Sequence, residues 1–147
     1  MKKPLWVKLE IPLATTKENI WSALTLPALT EKYMYNCQLN CSWELGAKAL
    51  WQEVQKDGTF ITHVSGTLLE YTPYSLLRFN INHQGEGLNG QISELRFILT
   101  PSSKGVLLIV EQGDFSTFPQ AETVCAQCVS GWNYVQDQLS ATCLSVQ

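Results

Sequence analysis

No stretch of this sequence approaches the roughly 20 consecutive apolar residues that a membrane-spanning helix needs, so insertion into a bilayer is not expected. The opening segment MKKPLWVKLEIPL has two lysines but no long apolar centre and no small-residue cleavage site. Lys8 and Glu10 interrupt it, so it does not read as a secretory signal, and a cytoplasmic protein is the expectation. Positive charge is scarce. Lys and Arg number 10 against 13 Asp and Glu, a net charge of −3, and Arg78 and Arg96 are the only arginines. With no basic stripe to follow a phosphate backbone, nucleic acid is excluded as a partner. His63 and His83 are the only histidines, and neither H-x-x-H nor H-E-x-x-H occurs, so no metal centre is expected. The glycines of GEGLNG lack the strand-to-helix setting of a phosphate loop. Internal repeats, linkers and low-complexity stretches are absent as well.

What is present suits one domain over residues 1–147, with 45% hydrophobic residues to build a core. There are five cysteines, Cys37, Cys41, Cys125, Cys128 and Cys143. The number is odd, and a chain of this size folds without staples, so reduced and buried thiols are expected. Cys125-x-x-Cys128 falls inside a helical pattern on its apolar stripe, whereas a redox pair needs a helix N-terminus to lower the thiol pKa. Cys37 and Cys41 span a strand and a turn rather than a tight knuckle, so a four-thiolate zinc site with Cys125 and Cys128 is not demanded by the spacing. Neither metal nor cofactor is therefore expected.

Hydrophobic periodicity orders the elements. Leu5, Val7, Leu9, Ile11 and Leu13 alternate with Trp6, Lys8, Glu10 and Pro12, a half-buried strand with Pro12 marking an edge or an end. Thr15 and Glu18 form a capping-box pattern before a helix bearing Ile20, Trp21 and Leu24, and Pro27 opens a second short helix, PALTEKYM. From about Asn36 to Asp114 the pattern is a β-meander with an Asp57-Gly58 hairpin turn and a long strand that bends at Gly66. Thr117 and Gln120, with Pro119 in the first turn, then suggest a capped helix. Along it Ala121, Val124, Cys125, Cys128, Trp132, Val135, Leu139 and Cys143 form one apolar stripe of roughly six turns, roughly 35 Å. A helix apolar on one side must lie across one face of the sheet.

The order of these phrases resembles the START-like (SRPBCC) helix-grip superfamily, in the branch related to activators of the heat-shock chaperone ATPase. TTKENIWSALTLPALTEKY is similar to its opening helix pair. GTLLEYTPYSLLRF resembles its glycine, Glu-x-x-Pro and following strand. LRFILTPSSKGVLLIVEQGDF is similar to its final hairpin, and SGWNYVQDQL to its closing helix with Gly-Trp. The similarity covers about residues 5–143. It departs where the branch often has tryptophan, at Tyr33, and where it often has Gly-Gly-x-Trp, at ELGAKALW, which leaves Gly46 and Trp51. The resemblance implies an α+β helix-grip fold. A curved antiparallel sheet of about six to seven strands would wrap a long C-terminal helix, with two short helices after the first strand. It also implies a scaffold for small molecules, some of whose members are enzymes. A stand-alone domain is expected, without the extra N-terminal domain of the eukaryotic chaperone activators, so chaperone activation is not carried over.

The function expected first is a binding module for an apolar or amphipathic small molecule held between sheet and helix. The alternatives are a small lyase, cyclase or hydrolase using His63 or a pocket carboxylate as acid or base, and a chaperone-linked protein-interaction module. The ligand-binding residues expected are Tyr33, Trp51, His63, Phe79, Phe97, Gln112, Cys128, Gly131 and Trp132. The aromatics should converge under the helix, Gln112 is a polar group on a core-facing strand phase, and Tyr33 marks the expected mouth. Glu111 and Asp114 read as solvated strand ends. Gly131 lies about 70° from the centre of the stripe at about 100° per residue. A methyl there is expected to meet sheet atoms or the cavity rim.

Overall fold

The computed structural model describes residues 3–85 and 87–146. The first two residues of the opening segment, residue 86 of the glycine-rich loop, and the final residue lie outside the described residues. The elements are β1 (Val7–Leu13), α1 (Lys17–Thr25), α2 (Pro27–Thr30), β2 (Cys37–Asn40), β3 (Lys48–Val54), β4 (Phe60–Thr72), β5 (Leu76–Asn82), β6 (Ile92–Ser102), β7 (Gly105–Gly113) and α3 (Ala121–Ser145). The seven strands form one antiparallel sheet in the order β1-β7-β6-β5-β4-β3-β2, curled around α3. The chain thus closes its meander by bringing β1 alongside β7.

Alternation decides which side of each strand faces the helix. Leu77, Phe79 and Ile81 of β5, Leu95, Phe97 and Leu99 of β6, and Val106, Leu108 and Val110 of β7 are buried. Trp132, Val135, Leu139 and Cys143 of α3 complete the core against them. Pro12 sits on the edge strand β1 and faces solvent, where its missing N–H costs no ladder bond. The Asp57-Gly58 turn forms as expected, with Gly58 at φ +87° and Gln55 N–H bonded to the Thr59 carbonyl at 2.7 Å.

Local signals are overridden at four places. Thr16, not Thr15, caps α1: its Oγ1 accepts from Asn19 N–H at 3.1 Å, while Thr15 Oγ1 accepts from the Asn19 side chain. The second helix stops at Thr30, and the turn after it passes through Tyr35 and Asn36 with positive φ. The Thr117–Gln120 box does not form. Gln120 is left-handed with no side-chain cap, and α3 starts at Ala121. Phe115 and Phe118 are both buried, and anchoring these two rings dictates the path of the chain before the helix. The irregularities of β4 lie between Trp51 and Gln52 on its β3 side and between Leu68 and Glu70 on its β5 side. Gly66 instead marks a close approach: a Cβ built there would run into the Asn80 carbonyl of β5.

Both arginines are committed to the face of the sheet opposite α3. Arg78 donates to Glu70 and Glu94, each at 2.9 Å, and Arg96 pairs with Glu94 and Glu111 while covering the Trp6 ring at 4.4 Å from its centroid. The Arg78 hydrogen bond leads the causes that hold the Glu94 carboxyl below its ordinary range. Glu111 is therefore part of an ion-pair ladder rather than a solvated end. Asp114 is not one either: it accepts from Leu5 N–H and Ser116 N–H, both at 2.8 Å, and these bonds lower its pKa.

Candidate functional site

Between α3 and the sheet, bordered by residues from β2 through β7, lies a cavity of about 680 Å³. Its walls follow from strand phase. Trp51 of β3, Ile81 of β5 and Leu95 of β6 face α3, which contributes Cys128, Trp132 and Val135. Glu53 continues the phase of Ala49 and Trp51, and His83 that of Leu77, Phe79 and Ile81, so both reach the cavity. The irregularity between β3 and β4 leaves His63 without a cross-strand partner, since Val64 pairs with Trp51 and Thr62 with Gln52. The side chain of His63 accordingly turns to Glu53.

A buried hydrogen-bond chain forms the polar wall. Trp132 Nε1–H donates to Gln112 Oε1 at 2.8 Å, and the Cys128 thiol donates to the same oxygen at 3.2 Å. Gln112 Nε2 donates to Ser93 Oγ at 3.0 Å, and Ser93 Oγ meets His83 Nε2 at 2.8 Å. The direction of the chain is fixed at one end, because an indole N–H can only donate, so the amide oxygen must face Trp132. It is fixed at the other by Ser93, which is 1% exposed and already accepts from Gln112. Its own hydrogen needs an acceptor, and among the described residues His83 Nε2 is the one within reach; with Ser93 donating to it, neutral His83 carries its proton on Nδ1. Burial lowers the His83 pKa, which favours that neutral form, and the ring edges of Phe115 and Phe118 enclose it.

At the mouth, Glu53 Oε1 and His63 Nε2 are 2.9 Å apart, with both side chains close to half exposed. Tyr35 stands over the same opening. Its hydroxyl donates to the Gly131 carbonyl at 3.3 Å, and its ring stacks on Tyr134 at 5.4 Å. Tyr134 is 75% exposed, so this stack bridges the α2–β2 turn to α3 from outside.

The cysteines are free thiols. Burial pushes Cys128 and Cys143 up to about 12, and it also raises Cys37 and Cys125. Cys125 and Cys128 are thus held as thiols, the reverse of the environment that activates a redox pair.

Of the residues expected at the site, Trp51, His63, Gln112, Cys128, Gly131 and Trp132 border this cavity. Tyr33, Phe79 and Phe97 do not. Tyr33 is buried beneath α1, its hydroxyl bonded to the Ala23 carbonyl at 2.9 Å, because the turn after Thr30 carries it inward and leaves Tyr35 at the mouth. Phe79 is covered by Trp43 and Trp51, and Phe97 by the Trp132 ring at 6.0 Å. Gly131 does not serve a close approach of helix and sheet. A Cβ there would meet only Tyr35 Oη, at an ordinary 3.6 Å, so the space beside it belongs to the cavity. Sequence reasoning missed Glu53, His83 and Ser93, although each continues a readable strand phase. It also missed Tyr35, whose position depends on a turn with no sequence signal.

The protein-family model described as Activator of Hsp90 ATPase homolog 1-like protein matches residues 14–143. No curated protein sequence matches the chain. Protein MLL2253 from Mesorhizobium loti superposes with a TM-score of 0.74 at 23% identity, over 93% of this chain and 95% of that one. Protein CV1439 from Chromobacterium violaceum gives 0.74 at 20% identity, over 97% and 99%. CalU16 from Micromonospora echinospora gives 0.68 at 18% identity, over 95% and 75%. At these identities the likeness establishes the fold alone.

Proposed function

This chain belongs to the Activator of Hsp90 ATPase homolog 1-like family, of START-like fold, and on that premise we propose that it is a small-molecule-binding module for an apolar or amphipathic ligand. The ligand is held between the sheet and α3, against Trp51, Ile81, Leu95, Trp132 and Val135, with Gln112 and His83 orienting it. The observation that carries this reading is the cavity itself. At about 680 Å³, lined mainly by apolar side chains with a polar wall at Gln112 and His83 and further polar groups at Glu53, His63, Asn82 and Gln84, it has the size and chemistry of a ligand site. A reducing compartment such as the cytoplasm is the setting proposed with this reading, and five unpaired thiols suit it. A neutral apolar fluorophore, N-phenyl-1-naphthylamine, should bind saturably. Gly131→Trp, whose Cβ meets only Tyr35 Oη at 3.6 Å, should fill space at the cavity wall and abolish binding, with far-UV circular dichroism checking that the protein stays folded. Absence of saturable binding to the native protein would sink the reading.

A second reading is favoured by the Glu53–His63 pair. A carboxylate that orients an imidazole at 2.9 Å beside an apolar cavity can position a general base, as a lyase, cyclase or hydrolase requires. A ligand recovered unchanged after long incubation with the protein argues for binding; conversion that is lost in His63→Gln argues for catalysis.

A further inference from the structure

The cavity's polar groups are unequal in kind, and they constrain the head group of any amphipath bound there. This inference rests on the binding-module reading. Among the described residues, no lysine or arginine borders the cavity, and the only carboxylate that does is Glu53. Both arginines are held on the far face by Glu70, Glu94 and Glu111. Glu53 shares the inward phase of Trp51, and one of its oxygens accepts from His63 while the other makes no hydrogen bond among the described residues. Its charge is felt inside the cavity, where, after burial, it is the next cause raising the pKa of Cys37, its partner across β2 and β3. The polar wall offers the opposite chemistry. Gln112 Oε1 already accepts two hydrogen bonds, so what remains on that wall is the second amide N–H and the Nδ1–H of His83, both donors. Asn82 and Gln84 also line the cavity, as neutral amides that add no charge.

We infer that the cavity selects amphipaths with a primary-amine head, seated at the mouth beside Glu53, whose apolar body presents at most a hydrogen-bond acceptor to the Gln112–His83 wall. Carboxylate amphipaths find no lysine or arginine there among the described residues, and at a pH where His63 is neutral they meet the like charge of Glu53.

The test uses decylamine, decanol and decanoate as competitors of bound N-phenyl-1-naphthylamine in low salt. Decylamine should displace it at about tenfold lower concentration than decanoate, with decanol between them, and added NaCl should narrow the gap. Glu53→Gln should reduce the gap to about twofold or less and leave decanol unchanged. His63→Gln keeps the carboxylate and removes the imidazole that can offset its charge, so it should preserve or widen the gap. Decanoate competing as well as decylamine, or a preference that survives Glu53→Gln, overturns the amine inference while decanol binding keeps the module reading intact. Failure of the fluorophore and all three competitors to bind overturns both.

Discussion

Gln112 uses three of its four amide hydrogen-bonding capacities inside the protein, on Trp132, Cys128 and Ser93. Replacing it with leucine keeps the volume roughly constant but strands an indole N–H and the serine of a buried chain. Each unsatisfied buried group costs about 1–3 kcal/mol, so Gln112→Leu should lower stability by about 2–4 kcal/mol in urea unfolding. A loss below about 0.5 kcal/mol would show that water replaces the amide. His83 adds a pH dependence. Its folded pKa is depressed by burial, so between that value and the ordinary unfolded value near about 6.5 the unfolded chain binds more protons. Stability is complete above that ordinary value and is lost as pH falls through the window beneath it. Unfolding measured at pH values on either side of that window should show a smaller drop for His83→Gln than for the parent. Equal drops would remove His83 as the cause. Gly66 is constrained sterically rather than electrostatically. A methyl there collides with backbone, not with a flexible side chain, so Gly66→Ala should cost about 3 kcal/mol or more.

Glycine inside α3 costs about 1 kcal/mol relative to alanine, and nothing in the packing offsets it, since only Tyr35 Oη lies near an added Cβ. Gly131→Ala should therefore raise stability by up to about 1 kcal/mol; of the two places expected for the methyl, sheet atoms or the cavity rim, Gly131 stands at the cavity. Fluorophore binding should weaken modestly, as the methyl takes space at the cavity wall. A destabilised alanine variant would imply that helix and sheet pack more closely than they do here. The two ends of α3 illustrate what an element's sequence can hide. Its apolar stripe from Trp132 to Cys143 is plain in the spacing of three and four, and those residues are buried. Its start is not plain, because Thr117, Pro119 and Gln120 have the composition of a cap but lie in a segment whose path is decided by burying Phe115 and Phe118. The strand phases were similarly legible at their apolar centres and less so at their polar ends, which is where Glu53, His83 and Ser93 stand.

A molecule built as a curled sheet over one helix gains stability when the space between them is filled. N-phenyl-1-naphthylamine at about 100 times its dissociation constant should add about 2.7 kcal/mol and raise Tm by about 5–10 °C. An unchanged Tm at saturating fluorophore would mean it binds folded and unfolded chains alike, and not in the cavity. The fold was legible in local patterns: element order, strand alternation, the α3 stripe and the family phrases each follow from neighbours within one or two turns or one hairpin. Composition also determined that both arginines and both histidines would be few enough to matter. Tertiary structure alone decided the site. Which tyrosine lies at the mouth depends on the turn after α2, and which histidine meets Glu53 depends on an irregular register between β3 and β4. That Gln112, Ser93 and His83 form one chain depends on placing three strands and a helix together, because hydrogen bonds between residues 19 or 20 positions apart leave no periodic trace in the sequence.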